Sequence, residues 1–375
     1  MTANAEHVDT IVVGGGQAGL AVGYHLQRRG LPFVILDASQ RVGDAWRNRW
    51  DSLRLFSVRR YSQLEGMPLP GPPRGFPTKD EIADYLEAYA TTFALPVRSG
   101  VRVDTLTREG EQLVLRAGPD TFEARNVVVG MSTDQVPWTP PFSSALDPAI
   151  IQMHSADYHN SSQLQTGAVL VVGAGNSGAE IAIEVAAERR TLLAGNIGAH
   201  VPFRIEGVAA RYVMLPLLFR FLAHRVLTVR TPIGRRQRRK VLSEGSPLVR
   251  IKPHDLIAAG VQRTARVTGV RDGRPQLHDG AAADVSNIIW CTGYRPDYSW
   301  IDLPAFIDGR PEHRRGIAHR EPGLYFVGLP FLYAMSSGFL RGVSRDAAFV
   351  VSHIAAQGTR SHSRPVSVRA ADTGV

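Results

Sequence analysis

Residues 10–37 read TIVVGGGQAGLAVGYHLQRRGLPFVILD, and this stretch decides the fold of the first part of the chain. The apolar residues before the glycines predict a buried parallel strand. Gly14, Gly16 and Gly19 have the spacing G-x-G-x-x-G, in which the glycines permit a tight turn, close approach to a pyrophosphate and close helix packing. A second apolar run ends at Asp37, whose carboxylate can accept hydrogen bonds from a ribose. This order of elements predicts a dinucleotide-binding unit.

The same pattern occurs a second time. An apolar run at residues 169–172 leads into Gly173, Gly175 and Gly178 in the sequence VLVVGAGNSGAEIAIEVA. We therefore predict an α/β fold with two Rossmann-like dinucleotide-binding domains. Two such domains in one chain are typical of proteins that bind one flavin and one nicotinamide dinucleotide.

The composition indicates a folded globular protein. Of the 375 residues, 44% are hydrophobic and 21% are charged, which is unlike a disordered chain. Cys291 is the only cysteine, so an internal disulfide and a C-x-x-C redox pair are excluded. Flavin enzymes that reduce a thioredoxin-like disulfide through two cysteines are thereby excluded as well. The polar residues before the first strand do not resemble a signal peptide, so we expect a cytoplasmic protein.

The positive charge is concentrated in one segment. The net charge is +9, and residues 204–250 contain eleven Arg and Lys but two Glu. The apolar run at residues 212–224 is too short, and too interrupted by Pro216 and Arg220, to span a bilayer. The apolar half precedes the basic half, without the aromatic residues among the arginines that stack on nucleic-acid bases. We expect a lid with a solvated basic face and no nucleic-acid partner, with weak contact to a membrane surface as an alternative.

Turn, proline and cap signals organise the rest of the chain. Thr78 can cap a helix with an acidic first turn, and residues 97–103, 112–116 and 121–129 alternate like strands of a small antiparallel sheet. Pro-rich residues 136–142 mark a domain boundary. We predict four parts: a first dinucleotide domain at 1–149, a second at 150–293, a return to the first at 294–357 and a disordered tail at 358–375.

The loop after Asp37 is rich in tryptophan and arginine. Such side chains can lie against a flat, electron-poor ring and cover it. The alternative is that Trp46 and Trp50 simply belong to the hydrophobic core. The sequence leaves both interpretations open.

Longer motifs across nearly the whole chain resemble those of the flavin-containing monooxygenases, the class B flavoprotein monooxygenases, and most closely a branch of small bacterial flavoprotein oxidoreductases. These motifs are GGGQAGL, VGDAWRNRWDSLRLF, FPTKDEIADYLEAYA, HSADY, VVGAGNSGAEIA, PLVRI, IIWCTGYRPD and GLYFVGL. The resemblance implies an FAD domain into which an NAD(P) domain is inserted, with NADPH or NADH as the second cofactor.

The resemblance also implies the cofactor-binding residues. For FAD they are Gly14, Gly16, Gln17, Ala18, Gly19, Asp37, Gln40, Trp46, Arg54 and Val103. Gln40, Trp46 and Arg54 are expected on the flavin side and Val103 near the adenine. For the nicotinamide dinucleotide they are Gly173, Gly175, Asn176, Ser177 and Gly178. Cys291, Thr292 and Gly293 occupy the position of the T-G element at the family's domain crossing.

The chain departs from the family pattern at three places. Ile150 replaces the glycine before His154 and Tyr158, and we interpret this lone histidine as a structural residue. Residues 130–132 read GMS where the family tends to have A-T-G. Residues 195–197 read GNI where the family tends to have an arginine for the 2′-phosphate.

Both of the latter departures are expected along the nicotinamide path. They leave FAD binding intact and the identity of the second dinucleotide open. Arg204, in the following loop, is the candidate to reach a 2′-phosphate.

Three functions fit these observations. The resemblance implies a monooxygenase in which NAD(P)H reduces FAD and one oxygen atom of O2 passes, through a C4a-peroxyflavin, to a small organic substrate. The alternatives are an FAD-dependent dehydrogenase or reductase without productive oxygenation, and a binding protein that keeps FAD as a structural group. Because the cofactor performs the bond chemistry, no catalytic side chain is assigned, and no metal site is predicted. The substrate pocket is expected between the two domains, under a cover of Tyr212, Leu215, Leu217 and Phe219, although such a run also fits plain core.

Overall fold

The computed structural model describes residues 5–132, 134–244 and 246–362. Its α-helices are α1 (Gln17–Gln27), α2 (Asp44–Arg47), α3 (Lys79–Thr92), α4 (Asn176–Ala186), α5 (Pro232–Glu244), α6 (Pro253–Ala258) and α7 (Leu340–His362). Two π-helical stretches cover Ala210–Met214 and Leu217–Val226, and 3-10 turns cover Arg59–Tyr61, Pro141–Ala145, Ser161–Gln163 and Met335–Gly338. The strands are β1 (Glu6–Val13), β2 (Phe33–Asp37), β3 (Val97–Ser99), β4 (Thr105–Glu109), β5 (Gln112–Ala117), β6 (Asp120–Val129), β7 (Val136–Pro137), β8 (Ile151–His154), β9 (Val169–Val172), β10 (Thr191–Ala194), β11 (Gln262–Thr264), β12 (Val267–Arg271), β13 (Arg274–Leu277), β14 (Asn287–Trp290), β15 (Tyr294–Arg295), β16 (Phe306–Ile307), β17 (Arg310–Pro311), β18 (His313–Arg314), β19 (Ile317–Ala318) and β20 (Leu324–Phe326).

The larger sheet is built around β1. Its strand order is β18–β19–β20–β6–β1–β2–β3, and β5 and β4 join beside β6. β1 pairs in parallel with β2 and β6, and Ile11 and Val12 are fully buried, because parallel strands at the centre of a sheet are covered on both faces. Residues of α1, α3 and α7 form the core on one of these faces.

The smaller sheet is entirely parallel and has the order β11–β10–β9–β14–β8. In chain order, the strands of the smaller sheet come after β6 and before β18, β19 and β20, which complete the larger sheet. Each sheet therefore carries one glycine loop at the end of a central strand. The predicted fold class, two Rossmann-like domains with one inserted in the other, is confirmed.

The predicted strand at residues 97–103 is wrong in length and in partner. β3 ends at Ser99 and pairs in parallel with β2, because Gly100 has φ +75° and turns the chain away. β5 pairs antiparallel with β6, as predicted, but its second antiparallel partner is β4, a strand that was not predicted.

Hydrogen bonds define the start of α3 and hold the last part of α7. At α3 the Thr78 hydroxyl accepts from the Glu81 N–H at 3.2 Å, and the Glu81 carboxylate accepts from the Thr78 N–H at 2.8 Å, as the predicted cap requires. α7 continues past Gly358, where the disordered tail was predicted to begin, to His362. Tyr325 on the sheet donates to Gln357 at 3.1 Å and so holds this last part of α7. Residues 363–375 lie outside the described residues.

α7 is 23 residues long and carries charged residues along its length. Within the three described ranges, no helix combines the length and the apolar character needed to cross a membrane.

The buried Asn287 provides a test of how the second domain is held together. Its Oδ1 accepts from the backbone N–H of Gln165, and its Nδ2 donates to the carbonyl of Gln165, both at 2.9 Å. We expect Asn287→Ala to lower the free energy of unfolding in urea by about 1–3 kcal/mol, because the backbone N–H of Gln165 loses its partner, while the Gln165 carbonyl keeps its 3.3 Å contact with Arg189. The control is Asn126→Ala, since Asn126 is also buried but has contacts of 3.4 and 3.5 Å. Equal losses in the two variants would contradict this interpretation.

Candidate functional site

The first glycine loop leaves room for an anion. Gly14 has φ +104°, and a Cβ at Gly19 would overlap the carbonyl oxygen of Gly14, so the start of α1 can lie this close to β1 only with glycine. A Cβ at Gly16 would meet nothing within 4 Å. No side chain caps the start of α1, so its first N–H groups are available to an anion beside Gly16, as in a pyrophosphate site.

The second loop has the same geometry. Gly173 has φ +110°, a Cβ at Gly178 would overlap the carbonyl of Gly173, and Gly175 faces open space. The residues before the two helices are also superimposable in conformation, with φ and ψ of −78° and −169° at Gly16 and −77° and −170° at Gly175. The two loops, one for each sheet, therefore have equivalent backbone geometry, and each has the form of an anion site.

Asp37 is fixed beside the first loop. Its two carboxylate oxygens accept from the backbone N–H of Gly15 at 2.5 Å and of Ser39 at 2.7 Å. A carboxylate oxygen can accept two hydrogen bonds, so Asp37 retains acceptor capacity for ribose hydroxyls. The backbone holds it in place for this contact.

Several other residues were predicted to bind FAD. Ala18 is buried, so only its backbone can contact a cofactor. Gln40 is exposed and lies close to Gly100, Trp46 packs partly buried against the core on the α1 face, and Val103 packs against the core on the other face. Arg54 is exposed, and its backbone bridges to Thr78. Their contacts with the cofactor remain predictions.

Gly130 belongs to the first loop. Its N–H donates to the carbonyl of Val13 at 2.8 Å, and a Cβ there would lie 3.1 Å from the nitrogen of Gly19. Gly130 therefore lies against the FAD loop, because β6 is the neighbour of β1 and ends beside that loop. That residues 130–132 lie along the nicotinamide path stays a prediction.

Trp50 connects the two domains. Its side chain is buried within the hydrophobic core of the second domain, together with Tyr158. The next residue, Asp51, accepts from the Asn160 side chain at 2.7 Å and donates its N–H to the His159 carbonyl at 2.8 Å. Of the two interpretations of the tryptophan-rich loop, the core interpretation is correct for Trp50.

The domain crossing is a two-stranded ribbon of β7 and β15. Next to this ribbon, the Thr292 hydroxyl donates to the carbonyl of Trp138. The backbone N–H of Trp138 donates in turn to the carbonyl of Gly293 at 3.0 Å. Thr292 and Gly293 thus hold the crossing.

His154 is a structural residue at this crossing. Its Nδ1 accepts from the N–H of Ala156 at 3.0 Å, so Nε2 carries the proton and donates to the carbonyl of Gly293 at 3.0 Å. Burial lowers the pKa of His154, which favours this neutral form. Tyr158 donates to Glu184 at 2.7 Å and is likewise fully buried.

Cys291 packs beside the second glycine loop, and its N–H donates to the carbonyl of Val172 at 2.8 Å. Burial raises the pKa of its thiol to about 12. The thiol is therefore protonated at neutral pH and is not a nucleophile.

Asn176 binds protein instead of presenting its side chain to solvent. Its Nδ2 donates to the carbonyl of Pro247 at 3.0 Å, and its Oδ1 accepts from the N–H of Val249 at 2.9 Å. Only the backbone of Asn176 remains for the predicted cofactor contact. Ser177, the next residue of α4, is half-buried.

Arg204 is already paired. Its guanidinium lies 2.8 Å from Asp255 and 2.6 Å from the Nε2 of His254. Beyond β10, Asn196 is exposed and Ile197 packs against the second domain's core. Contact of Arg204 with a 2′-phosphate therefore requires exchange of its carboxylate partner.

Half of the predicted cover is buried. Leu215 and Phe219 pack into an aromatic cluster formed with Phe56, Tyr61, Val58, Phe76 and Phe339. Phe219 stacks on Tyr61 with ring centroids 5.7 Å apart and meets Phe339 edge-on at 5.6 Å. Tyr212 and Leu217 instead have 57% and 59% of their surface exposed. That these four residues cover a substrate pocket stays a prediction.

The aromatic cluster lies between the two glycine loops. On one side Phe339 follows Gly338, whose carbonyl accepts from the side chain of Gln17 at the start of α1, at 2.9 Å. On the other side Val249 packs on the cluster and bonds to the side chain of Asn176 at the start of α4. Phe56, Phe76 and Phe339 are far apart in the chain, and no local motif indicates that they meet, because only the fold brings them together.

Arg250 ties the cluster to both domains. It donates to the carbonyl of Leu55 and pairs with Glu206, both at 2.7 Å, and its guanidinium lies 5.0 Å from the ring centre of Phe76. Glu180 on α4 lies 3.7 Å away, and burial raises its pKa to about 7 despite this neighbour. The motif PLVRI contained this residue, but nothing local indicated its role.

The described part of the chain has no group of three or more His, Cys, Asp or Glu side chains arranged to hold a metal ion.

Comparison with known proteins identifies the family. The model of a family described as pyridine nucleotide-disulphide oxidoreductase matches residues 11–194. A Geobacillus kaustophilus protein named uncharacterized oxidoreductase CzcO-like is 39% identical over 92% of this chain and 98% of its own length. The structure of a flavin-containing monooxygenase from Stenotrophomonas maltophilia is 30% identical, with a TM-score of 0.73 over 94% of this chain and 99% of that one. The chain belongs to the flavin-containing monooxygenase family.

Membership of the flavin-containing monooxygenase family confirms the resemblance seen in the sequence, and the chain is a flavin-dependent oxidoreductase. The indole-3-pyruvate monooxygenase YUCCA1 of Oryza sativa is a more distant relative, 28% identical over 92% of this chain and 91% of its own length. FAD and NADP(H), the cofactors of flavin-containing monooxygenases, fit the two loops, since each loop offers open space beside unbonded helix amides.

Paired alanine substitutions in the first loop separate binding from folding. Gly16→Ala should lower FAD affinity at least about tenfold without changing the thermal midpoint of the apoprotein, because its methyl group enters only the space for the pyrophosphate. Gly19→Ala should instead destabilise the apoprotein by about 1–3 kcal/mol, because its methyl group overlaps the Gly14 carbonyl. Gly175→Ala is the control that should retain FAD. FAD content and calorimetry check this, and equal FAD affinity in Gly16→Ala and wild type would contradict it.

Proposed function

We propose that this protein is an FAD-dependent, NAD(P)H-consuming monooxygenase that inserts one oxygen atom of O2 into a small organic substrate through a C4a-peroxyflavin. The position of the aromatic cluster between the two glycine loops carries this proposal. Similarity to a flavin-containing monooxygenase over 94% of the chain supports it.

The residue roles follow from the two loops. Gly14, Gly16 and Gly19 hold the pyrophosphate of FAD, and Asp37 accepts from its ribose. Gly173, Gly175 and Gly178 hold the pyrophosphate of NADPH or NADH. When bound, FAD supplies the hydride acceptance and the reaction with oxygen.

The aromatic cluster has the properties of a substrate site cover. Phe219, Phe339 and Tyr61 are apolar rings that pack edge-on and face to face, and they would exclude water from a ring bound beside α1. Exclusion of water protects reactive intermediates from hydrolysis and proton leakage. The surface of the cluster is mainly apolar. We therefore infer a substrate that is largely apolar around the atom that is oxidised.

Oxygen reactivity tests the proposed function. The NADPH-reduced enzyme, mixed with oxygen in a stopped-flow spectrometer without substrate, should form a C4a-peroxyflavin spectrum that persists for seconds or longer. A control with dithionite-reduced Gly175→Ala, which lacks bound NADPH, shows how much of this persistence depends on the coenzyme. Direct return to oxidised flavin with stoichiometric peroxide, with both coenzymes and all substrate classes, would overturn the proposal in favour of a dehydrogenase or reductase.

The second cofactor can be tested at the end of β10. A 2′-phosphate is held best by a bidentate guanidinium. Asn196 has no guanidinium, and the guanidinium of Arg204 is already paired with Asp255. The wild type should therefore prefer NADPH over NADH by at most about tenfold, or about 1.4 kcal/mol. Asn196→Arg should raise NADPH affinity and leave NADH nearly unchanged, whereas the neutral control Asn196→Gln should change neither. Flavin-reduction kinetics with both coenzymes check this. A wild-type preference above about a hundredfold would show that another arginine binds the phosphate.

A further inference from the structure

The helical stretch before α5 exposes an apolar ridge. The ridge consists of six side chains, each 37–63% exposed: Tyr212, Val213, Met214, Leu217, Phe221 and Leu222. On the opposite face Leu215, Phe219 and Ala223 are buried. The segment has therefore satisfied its contact with the core, and the ridge is additional apolar surface that the fold leaves in water.

A cluster of arginines follows the ridge directly in the chain. Arg235, Arg238 and Arg239 of α5, with Arg310 of β17, line a cavity of about 660 Å³ that Val229 and Leu242 complete. Within the described ranges, no carboxylate pairs with Arg238, Arg239 or Arg310. Ile233, on the same helix, is 64% exposed. Like charges gathered without counter-charges favour an anionic partner.

We propose that the ridge and the α5 arginines together dock on an anionic phospholipid surface. The ridge side chains enter the boundary between headgroups and acyl chains, and the guanidinium groups bind lipid phosphates. A helical segment with apolar side chains beside clustered Arg and Lys is the arrangement that binds at a membrane interface, and each basic side chain near an anionic leaflet adds to the attraction.

The charge of the segment decides between this partner and two others. A second copy of the chain would bring the excess of nine positive charges in residues 204–250 against the same excess, which opposes association. A nucleic acid would satisfy the arginines but would leave the six ridge side chains in water. An anionic lipid surface satisfies both.

Vesicle flotation of the full-length, FAD-loaded protein tests the proposal. The protein should float with vesicles of phosphatidylglycerol and phosphatidylcholine at low salt, and binding to phosphatidylcholine alone should be at least about tenfold weaker. Raising the salt concentration should weaken binding, because it screens the arginines. Inorganic phosphate should compete no better than chloride at equal ionic strength. Strong competition by phosphate would instead indicate a site for a free phosphate ligand.

Matched variants locate the surface. Phe221→Glu and the double variant Arg238→Glu with Arg239→Glu should each weaken vesicle binding at least about tenfold. The controls are Ile257→Glu, since Ile257 is 70% exposed on α6, and Arg125→Glu with Arg263→Glu, two exposed arginines on other strands. These controls should bind like the wild type, with unchanged FAD content in all variants.

Three results would overturn the proposal. The first is that the control variants lose vesicle binding as much as the ridge and arginine variants do. The second is equal binding of the wild type to both vesicle types. The third is a dimer, detected by sedimentation, that buries the ridge. Tighter binding to DNA than to anionic vesicles at physiological salt would assign the arginines to a nucleic acid instead.

Discussion

The contact between a helix start and a glycine carbonyl is the constraint on which both domains depend. α1 begins against Gly14 and α4 against Gly173, at positions where a Cβ on Gly19 or Gly178 would overlap the carbonyl. This contact aims the free N–H groups of each helix at the space beside Gly16 or Gly175. The same contact that packs the helix therefore also shapes the open space beside it. A change at Gly19 is expected to disturb folding, whereas a change three residues away, at Gly16, is expected to disturb only binding.

The two anion sites are useful only if they are held at a fixed separation. The β7–β15 ribbon would by itself be a hinge, but further contacts oppose its motion. Trp50 lies in the core of the second domain, and Arg250 donates to the carbonyl of Leu55 in the first. Together these contacts place the aromatic cluster between the loops, where a ring bound at the first loop and one bound at the second would approach each other.

The sequence predicted what depends on local spacing. Both glycine loops, Asp37 and the Thr78 cap follow from residues that are close in the chain, and the structure has them as expected. It did not predict what depends on distant partners. Phe56 and Phe339 meet only because α7 returns to α1. Asn176 matches a cofactor motif, but its side chain forms hydrogen bonds with the backbone of residues 247 and 249. A residue type at a motif position thus indicates where a backbone lies more reliably than what its side chain contacts.

The basic segment shows how the fold distributes charge. At its ends the arginines are paired, Arg204 with Asp255 and Arg250 with Glu206. The first pair anchors the segment to α6, and the second joins the two ends of the segment to each other. In its middle, Arg238 and Arg239 are exposed and pair with no carboxylate that the structure describes. This excess of charge plays no part in the packing of the segment, because Leu215 and Phe219 pack into the aromatic cluster through apolar contacts alone. The proposed anionic lipid surface would neutralise this unbalanced charge, which the described part of the fold leaves without a counter-charge.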